Sequence, residues 1–149
     1  MSATVSLRPG TPDDYPFVLD TFAREYRHSP QGKPMGERLM RQSIEALLKS
    51  PRWTLTVAAP REGGDEIYGW ILWAGKSIAW LHVKDMYRGH GFARVLLSAT
   101  PVTGGDVDTP FVPHRTEIAA NFPLWAESKG YRIRCRPHLI LREVLNGNS

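Results

Sequence analysis

The sequence predicts one α/β domain, residues 1–149, in which a mostly antiparallel mixed sheet packs with about four helices. Three observations lead there. The runs WTLTVAA, IYGWILWA and SIAWLHV are rich in β-branched and aromatic residues and follow one another with short connections, the pattern of an antiparallel meander. Two stretches with apolar residues at helical spacing come before the meander. A glycine-bearing turn, RGHG, joins its last strand to another helical stretch, FARVLL.

Taken in order, TVSLR from Thr4 to Arg8 alternates and predicts a first strand, ended by Pro9, Gly10, Thr11 and Pro12. A helix over Asp13 to His28 follows. Thr11 suits its cap, Pro12 its first turn, and Asp13 and Asp14 the positive end of its dipole. Phe17, Val18, Phe22 and Tyr26 form its apolar stripe. Ser29 to Pro34 is a connector. A second helix over Gly36 to Lys49 carries Leu39, Met40, Ile44, Leu47 and Leu48 and stops at Ser50 and Pro51. Strands are expected over Trp53 to Ala59, Ile67 to Ala74 and Ser77 to Val83, with Arg61 to Glu66 as a hairpin loop. A third helix runs from Phe92 to Ser98, then a loop from Thr100 to Asp108. A short fifth strand is expected over Thr109 to Val112, bracketed by Pro110 and Pro113. Asn121 and Pro123 cap and open a last helix that ends at Lys129 and Gly130. Tyr131 to Leu145 is extended, and Asn146 to Ser149 is a frayed tail.

Composition narrows the class. Hydrophobic residues make up 42% and charged residues 23%, the balance of a globular rather than a disordered chain. No apolar run approaches the roughly 18 residues of a membrane span, since Gly69, Gly75 and Lys76 interrupt the longest. MSATVSLRPG lacks a basic segment followed by an apolar one, so no secretory signal is expected and the expected location is the cytoplasm. The single cysteine, Cys135, cannot form an internal disulfide. The five histidines, His28, His82, His90, His114 and His138, are scattered without metal-ligand spacing, so no metal site is expected. The net charge of +4 rests mainly on arginine and suits an anionic ligand, either a phosphate-bearing cofactor or a nucleic acid. Arg132, Arg134 and Arg136 fall on one face of the C-terminal strand, and Arg142 extends the run. They form either a charged sheet edge that opposes aggregation or a nucleic-acid patch.

The turn after the third meander strand carries the chemistry. Gly89 and Gly91 permit backbone conformations closed to other residues and let a ligand approach the main chain. Amides at the start of the following helix, with the helix dipole, attract a pyrophosphate, and Arg88 and Arg94 flank the turn with charge. The known nucleotide loops do not match. A Walker loop ends in Gly-Lys-Ser/Thr, and GHGFAR lacks the third glycine of the dinucleotide fingerprint.

Arg88, Gly91 and Ala93 do fill the three defining places of the RxxGxG/A signature of the GCN5-related N-acetyltransferases. The stretch WLHVKDMYRGHGFARVLL resembles that family's fourth strand, cofactor loop and third helix. The predicted order β α α β β β α β α β resembles the family's order, and LRPGTPDDYPFV and ESKGY are further echoes. The resemblance implies a sheet splayed between its fourth and fifth strands around acetyl-CoA, and acetyl transfer to an amine whose identity the sequence does not give. It implies cofactor contacts from the backbone of Val83 and from Arg88, Gly89, His90, Gly91, Phe92, Ala93 and Arg94, with Asn121 in the place of an asparagine that often touches the cofactor. The chain departs from the family at Ala126, where many members carry the tyrosine that protonates the leaving thiolate.

For the general base, His82 is the first candidate, because it lies on the strand entering the turn and an imidazole titrates at about 6.5. Asp85, Glu66 and His114 are further choices. Trp70 and Trp80 either line an acceptor pocket or fill the core. The expected partners are acetyl-CoA and the amine acceptor, with a homodimer allowed and neither membrane nor nucleic acid required. A cofactor-binding module without fast turnover and a small basic nucleic-acid binder are the alternatives.

Overall fold

The computed structural model describes residues 5–27, 37–63, 66–87, 91–102, 105–109, 126 and 129–135. Its strands are β1 (Val5–Pro9), β2 (Thr54–Pro60), β3 (Gly69–Ala74), β4 (Ser77–Val83), β5 (Asp106–Thr109) and β6 (Arg132–Cys135). Its α-helices are α1 (Tyr15–Arg27), α2 (Glu37–Lys49) and α3 (Phe92–Leu97). The six strands form one sheet in chain order. The β1–β2, β2–β3 and β3–β4 pairs are antiparallel, whereas β4–β5 and β5–β6 are parallel. The predicted mixed sheet is therefore present, and its antiparallel part is the meander.

β3 pairs with β4 from Gly69↔Val83 to Ala74↔Ser77, with one register slip between Leu72 and Trp73. Between β4 and β5 the ladder has a single position among the described residues, Ser77↔Asp108 at the start of β4. Thr109 Oγ1 adds a 3.5 Å contact to the Ala79 carbonyl.

The core forms between the meander and the first two helices. Trp70 pairs with His82 and Leu72 with Trp80, so these four side chains share one sheet face. α1 covers that face. Its Phe22 meets Trp80 edge to face, at 5.3 Å and 89°, and its Thr21 hydroxyl accepts a 2.9 Å bond from the Trp70 indole N–H. Trp70 and Trp80 are both 0% exposed, and burying either is worth about 4–6 kcal/mol as an upper bound. α2 packs on α1, with Ile44 and Leu47 buried and the Tyr15 hydroxyl donating to the Leu48 carbonyl at 3.0 Å. Ile71 and Leu81 point to the other face, and α3 packs against β2, β3 and β4.

Three predicted boundaries move. The first helix opens with a 3-10 turn, Pro12–Asp14, before α1 begins at Tyr15. There the Asp14 N–H donates to the Thr11 carbonyl at 2.9 Å, while the Asp14 carboxylate turns back to Arg8 and Thr11 and holds the turn tight. β3 starts at Gly69 rather than Ile67, at the point where the β4 backbone comes closest. A Cβ on Gly69 would lie 2.3 Å from the His82 carbonyl oxygen. β5 covers Asp106–Thr109, where the sequence suggested the end of a loop. Val107 and Thr109 are each 1% exposed and face the core, while Asp106 and Asp108 pair with arginines of β6. The expected connector from Ser29 to Pro34, the strand after Thr109, the start of the last helix at Asn121, the extension beyond Cys135 and the tail lie outside the described residues.

Candidate functional site

Gly91 is the described part of the predicted phosphate turn that bears most directly on it. Its φ of 83° and ψ of 6° are left-handed, and it caps the start of α3. An L-residue there costs roughly 1–2 kcal/mol, so glycine at this position follows from the backbone. Among the described residues beyond its chain neighbours, no heavy atom lies within 4 Å of where its Cβ would stand. The first rung of the helix runs from the Val95 N–H to the Gly91 carbonyl at 3.2 Å, which leaves the amides of Ala93 and Arg94 ahead of the ladder. Phe92 turns its side chain into the core, Ala93 is half-buried and Arg94 is exposed. Arg88, Gly89, His90, Asn121 and His114 lie outside the described residues.

β4 brings Val83 to the same end of the sheet as this turn. After Val83 the chain enters a 3-10 turn, Asp85–Tyr87, anchored by a 2.9 Å bond from the Lys84 N–H to the Tyr68 carbonyl and another from the Tyr87 N–H to the Lys84 carbonyl. His82 is 8% exposed, with its ring 6.0 Å from Phe17 and 6.2 Å from Trp70. The ring lies beside Phe17 of α1 and Trp70 of β3. Trp70 and Trp80, for which the sequence left a pocket wall or the core open, are core residues. The physical reason is α1, which covers both indoles. Glu66 accepts a hydrogen bond from the Tyr87 hydroxyl, which raises the phenol's pKa to about 12.

A cleft of about 480 Å³ opens between the start of α1 and the end of β4. Thr11, Asp13, Phe17, Ile67 and Lys84 line it, with the Arg8–Asp14 pair as a wall. The Lys84 ammonium stands 5.3 Å from the centre of the Phe17 ring, a cation–π distance. Arg8 grips Asp14 through both terminal nitrogens, at 2.8 and 2.9 Å. The Arg8 bond lowers the Asp14 pKa despite burial, and the same bond raises that of Arg8. Sequence reasoning passed over Phe17, Ile67 and Lys84 as a group, because the contact joins three elements far apart in the chain.

The remaining predicted features divide as follows. Ala126 is 1% exposed, and its carbonyl accepts bonds from Lys129 N–H at 3.0 Å and Tyr131 N–H at 3.1 Å, the pattern of a helix end closed by Gly130. That position offers methyl where many relatives of the signature have a phenol. Arg132 and Arg134 are paired across the strands: Arg132 to Asp106 at 2.8 Å, and Arg134 to Asp108 at 2.8 Å and Asp106 at 3.5 Å. Their charge is balanced by carboxylates on β5. Among the described residues no group of three or more His, Cys, Asp or Glu is placed to hold a metal, and no helix is long and apolar enough to cross a membrane.

The described sheet, an antiparallel meander extended by the parallel β4–β5 and β5–β6 pairs, has the fold of the GCN5-related N-acetyltransferases. Solved structures give the particulars. A candidate acetyltransferase from Clostridium difficile 630 matches with a TM-score of 0.52 and 17% identity, over 64% of this chain and 68% of that one. A candidate acetyl transferase from Pyrococcus furiosus matches over 89% of this chain and 95% of its own, with a TM-score of 0.51 and 18% identity. The likeness at these identities is one of fold. No family profile and no curated protein sequence matches the chain.

Proposed function

We propose that this chain is an N-acetyltransferase that takes its acetyl group from acetyl-CoA and passes it to an amine. The observation that carries the reading is Gly91, held left-handed at the start of α3 with open space in place of a side chain, inside the Arg88–Gly91–Ala93 spacing. A diphosphate fits such a surface, because it needs main-chain amides and tolerates no Cβ in its way. The fold supports the same reading. In it, the main chain from Gly89 to Ala93, Phe92 included, receives the pyrophosphate, and Arg88, His90 and Arg94 border it. The backbone of Val83 pairs with the extended pantetheine arm, and Asn121 adds a contact.

Acetyl-CoA, when bound, supplies a thioester whose carbonyl an amine can attack. The protein's part is to hold the donor, take a proton from the incoming ammonium and let the thiolate go. His82 is the proposed base. It is buried beside Phe17, and it sits on the strand that leads to the donor turn. The thiolate leaves without help from position 126, where alanine has no proton to give. Incubating the chain with acetyl-CoA and a panel of amines should release free CoA with the accepted amine. His82→Ala should slow that release roughly 10²- to 10⁴-fold with acetyl-CoA affinity unchanged.

A second reading is favoured by Ala126 alone: a module that binds acetyl-CoA without rapid turnover. It predicts donor binding with no CoA release from any amine in the panel, which would overturn the enzymatic reading and keep the donor site.

A further inference from the structure

Three aromatic rings bracket the donor turn from both sides. Tyr87 ends the 3-10 turn just ahead of it, and Phe92 opens α3 just behind it. Both rest on Tyr68, the residue before β3. Tyr68 stacks face to face on Phe92, with centroids 5.1 Å apart and planes 2° apart, and meets Tyr87 at 4.4 Å. Tyr87 and Phe92 are 5.9 Å apart. Tyr68 is in turn fixed to the sheet, donating from its N–H to the Ala58 carbonyl at 2.8 Å and accepting from the Lys84 N–H at 2.9 Å. The Tyr87 hydroxyl adds a second anchor on Glu66, which lies on the same approach to β3.

The chain on either side of the turn is thus tied to one point just ahead of β3. Four residues, 88–91, separate Tyr87 from Phe92, so fixing both rings sets the distance the turn must span. We propose that Tyr68, together with the Glu66–Tyr87 hydrogen bond, is a positioning device that holds Gly91 and the start of α3 in place to receive a diphosphate. The proposal rests on the donor reading above. A Gly91 and helix start held in place lose less freedom on binding, so the device acts on affinity for the phosphate-bearing part of the donor and leaves the thioester arm alone.

The test compares CoA with S-acetylpantetheine, which has the thioester arm and no pyrophosphate. Tyr87→Phe keeps the rings and removes the anchor, Tyr68→Leu removes the stack, and Tyr68→Phe keeps it. Calorimetry should show CoA bound roughly 2- to 10-fold more weakly by Tyr87→Phe and Tyr68→Leu, the effect of losing about one aromatic pair or hydrogen bond. S-acetylpantetheine affinity should be unchanged, and Tyr68→Phe should bind CoA like the wild type. Amide hydrogen exchange at Gly91, Ala93 and Arg94, measured without ligand, should quicken in the two weakened variants. Unchanged CoA affinity, or an equal loss on both ligands, overturns the proposal. If the wild type binds no CoA, the donor reading fails and the proposal falls with it, whereas CoA bound equally well by the wild type and both weakened variants overturns the device alone.

Discussion

Replacing Asp14 with alanine removes the carboxylate together with its hydrogen bonds, which isolates what that group does where β1 turns into α1. The carboxylate accepts from Arg8 at 2.8 and 2.9 Å and from the Thr11 N–H at 2.8 Å, and its side chain is only 7% exposed. Losing a helix-start bond of this kind costs about 1 kcal/mol. The ion pair adds less than its geometry suggests, because the Arg8 side chain is 36% exposed and water screens it, so about 1 kcal/mol is assigned there as well. The expected loss is therefore about 2 kcal/mol near neutral pH, or roughly 4–8 °C in the melting midpoint of a chain this size. The loss should depend on pH in one direction. The folded-state pKa of Asp14 lies below its ordinary value of 3.8, chiefly through the Arg8 bond, so the carboxylate's contribution is complete above that value and fades as pH falls through the lower one. Urea unfolding of both proteins across the acid range should show the gap shrinking below pH 4 or so. A gap under about 0.5 kcal/mol at neutral pH, or one that stays constant into strong acid, would refute the reasoning.

Two further outcomes follow from single contacts. Gly69→Ala should destabilise the chain by roughly 1–3 kcal/mol, because its Cβ would stand 2.3 Å from the His82 carbonyl oxygen and backbone cannot rotate away; an unchanged thermal midpoint would contradict this. The Tyr87 phenol, raised from 10.0 to about 12 by its bond to Glu66, gives the fold a contribution that is complete below pH 10 and is lost as pH rises through 12. In an alkaline titration followed by phenolate absorbance, Tyr87→Phe should remove the component rising at about 12, and removal of one rising at about 10 would mean the bond does not form in solution.

Much of this architecture is written locally. The meander strands alternate, their connections are short, and the stop signals at Ser50–Pro51 and Gly75–Lys76 stand where β2 and the β3–β4 turn need them. Gly91 was visible for the same reason: a left-handed cap and a phosphate turn both call for glycine. What stayed hidden was decided by partners distant in sequence. Asp106 and Asp108 look like loop residues until Arg132 and Arg134 are set beside them. Trp70 and Trp80 look equally suited to a pocket or a core until Thr21 and Phe22 of α1 cover them. The Tyr68–Tyr87–Phe92 cluster had a faint signal in the aromatic residues on both sides of RGHG. Its third member comes from the approach to β3, and no local pattern links it.

The most direct measurement is calorimetric titration of acetyl-CoA into the wild-type chain and into Gly91→Ala. The account predicts binding with a dissociation constant on the order of micromolar for the wild type. It predicts a Gly91→Ala variant that still folds, at a cost of roughly 1–2 kcal/mol for the left-handed backbone, and that binds at least about tenfold more weakly because the methyl stands where the pyrophosphate must approach. No heat with the wild type, or equal affinity in a folded Gly91→Ala, would contradict it.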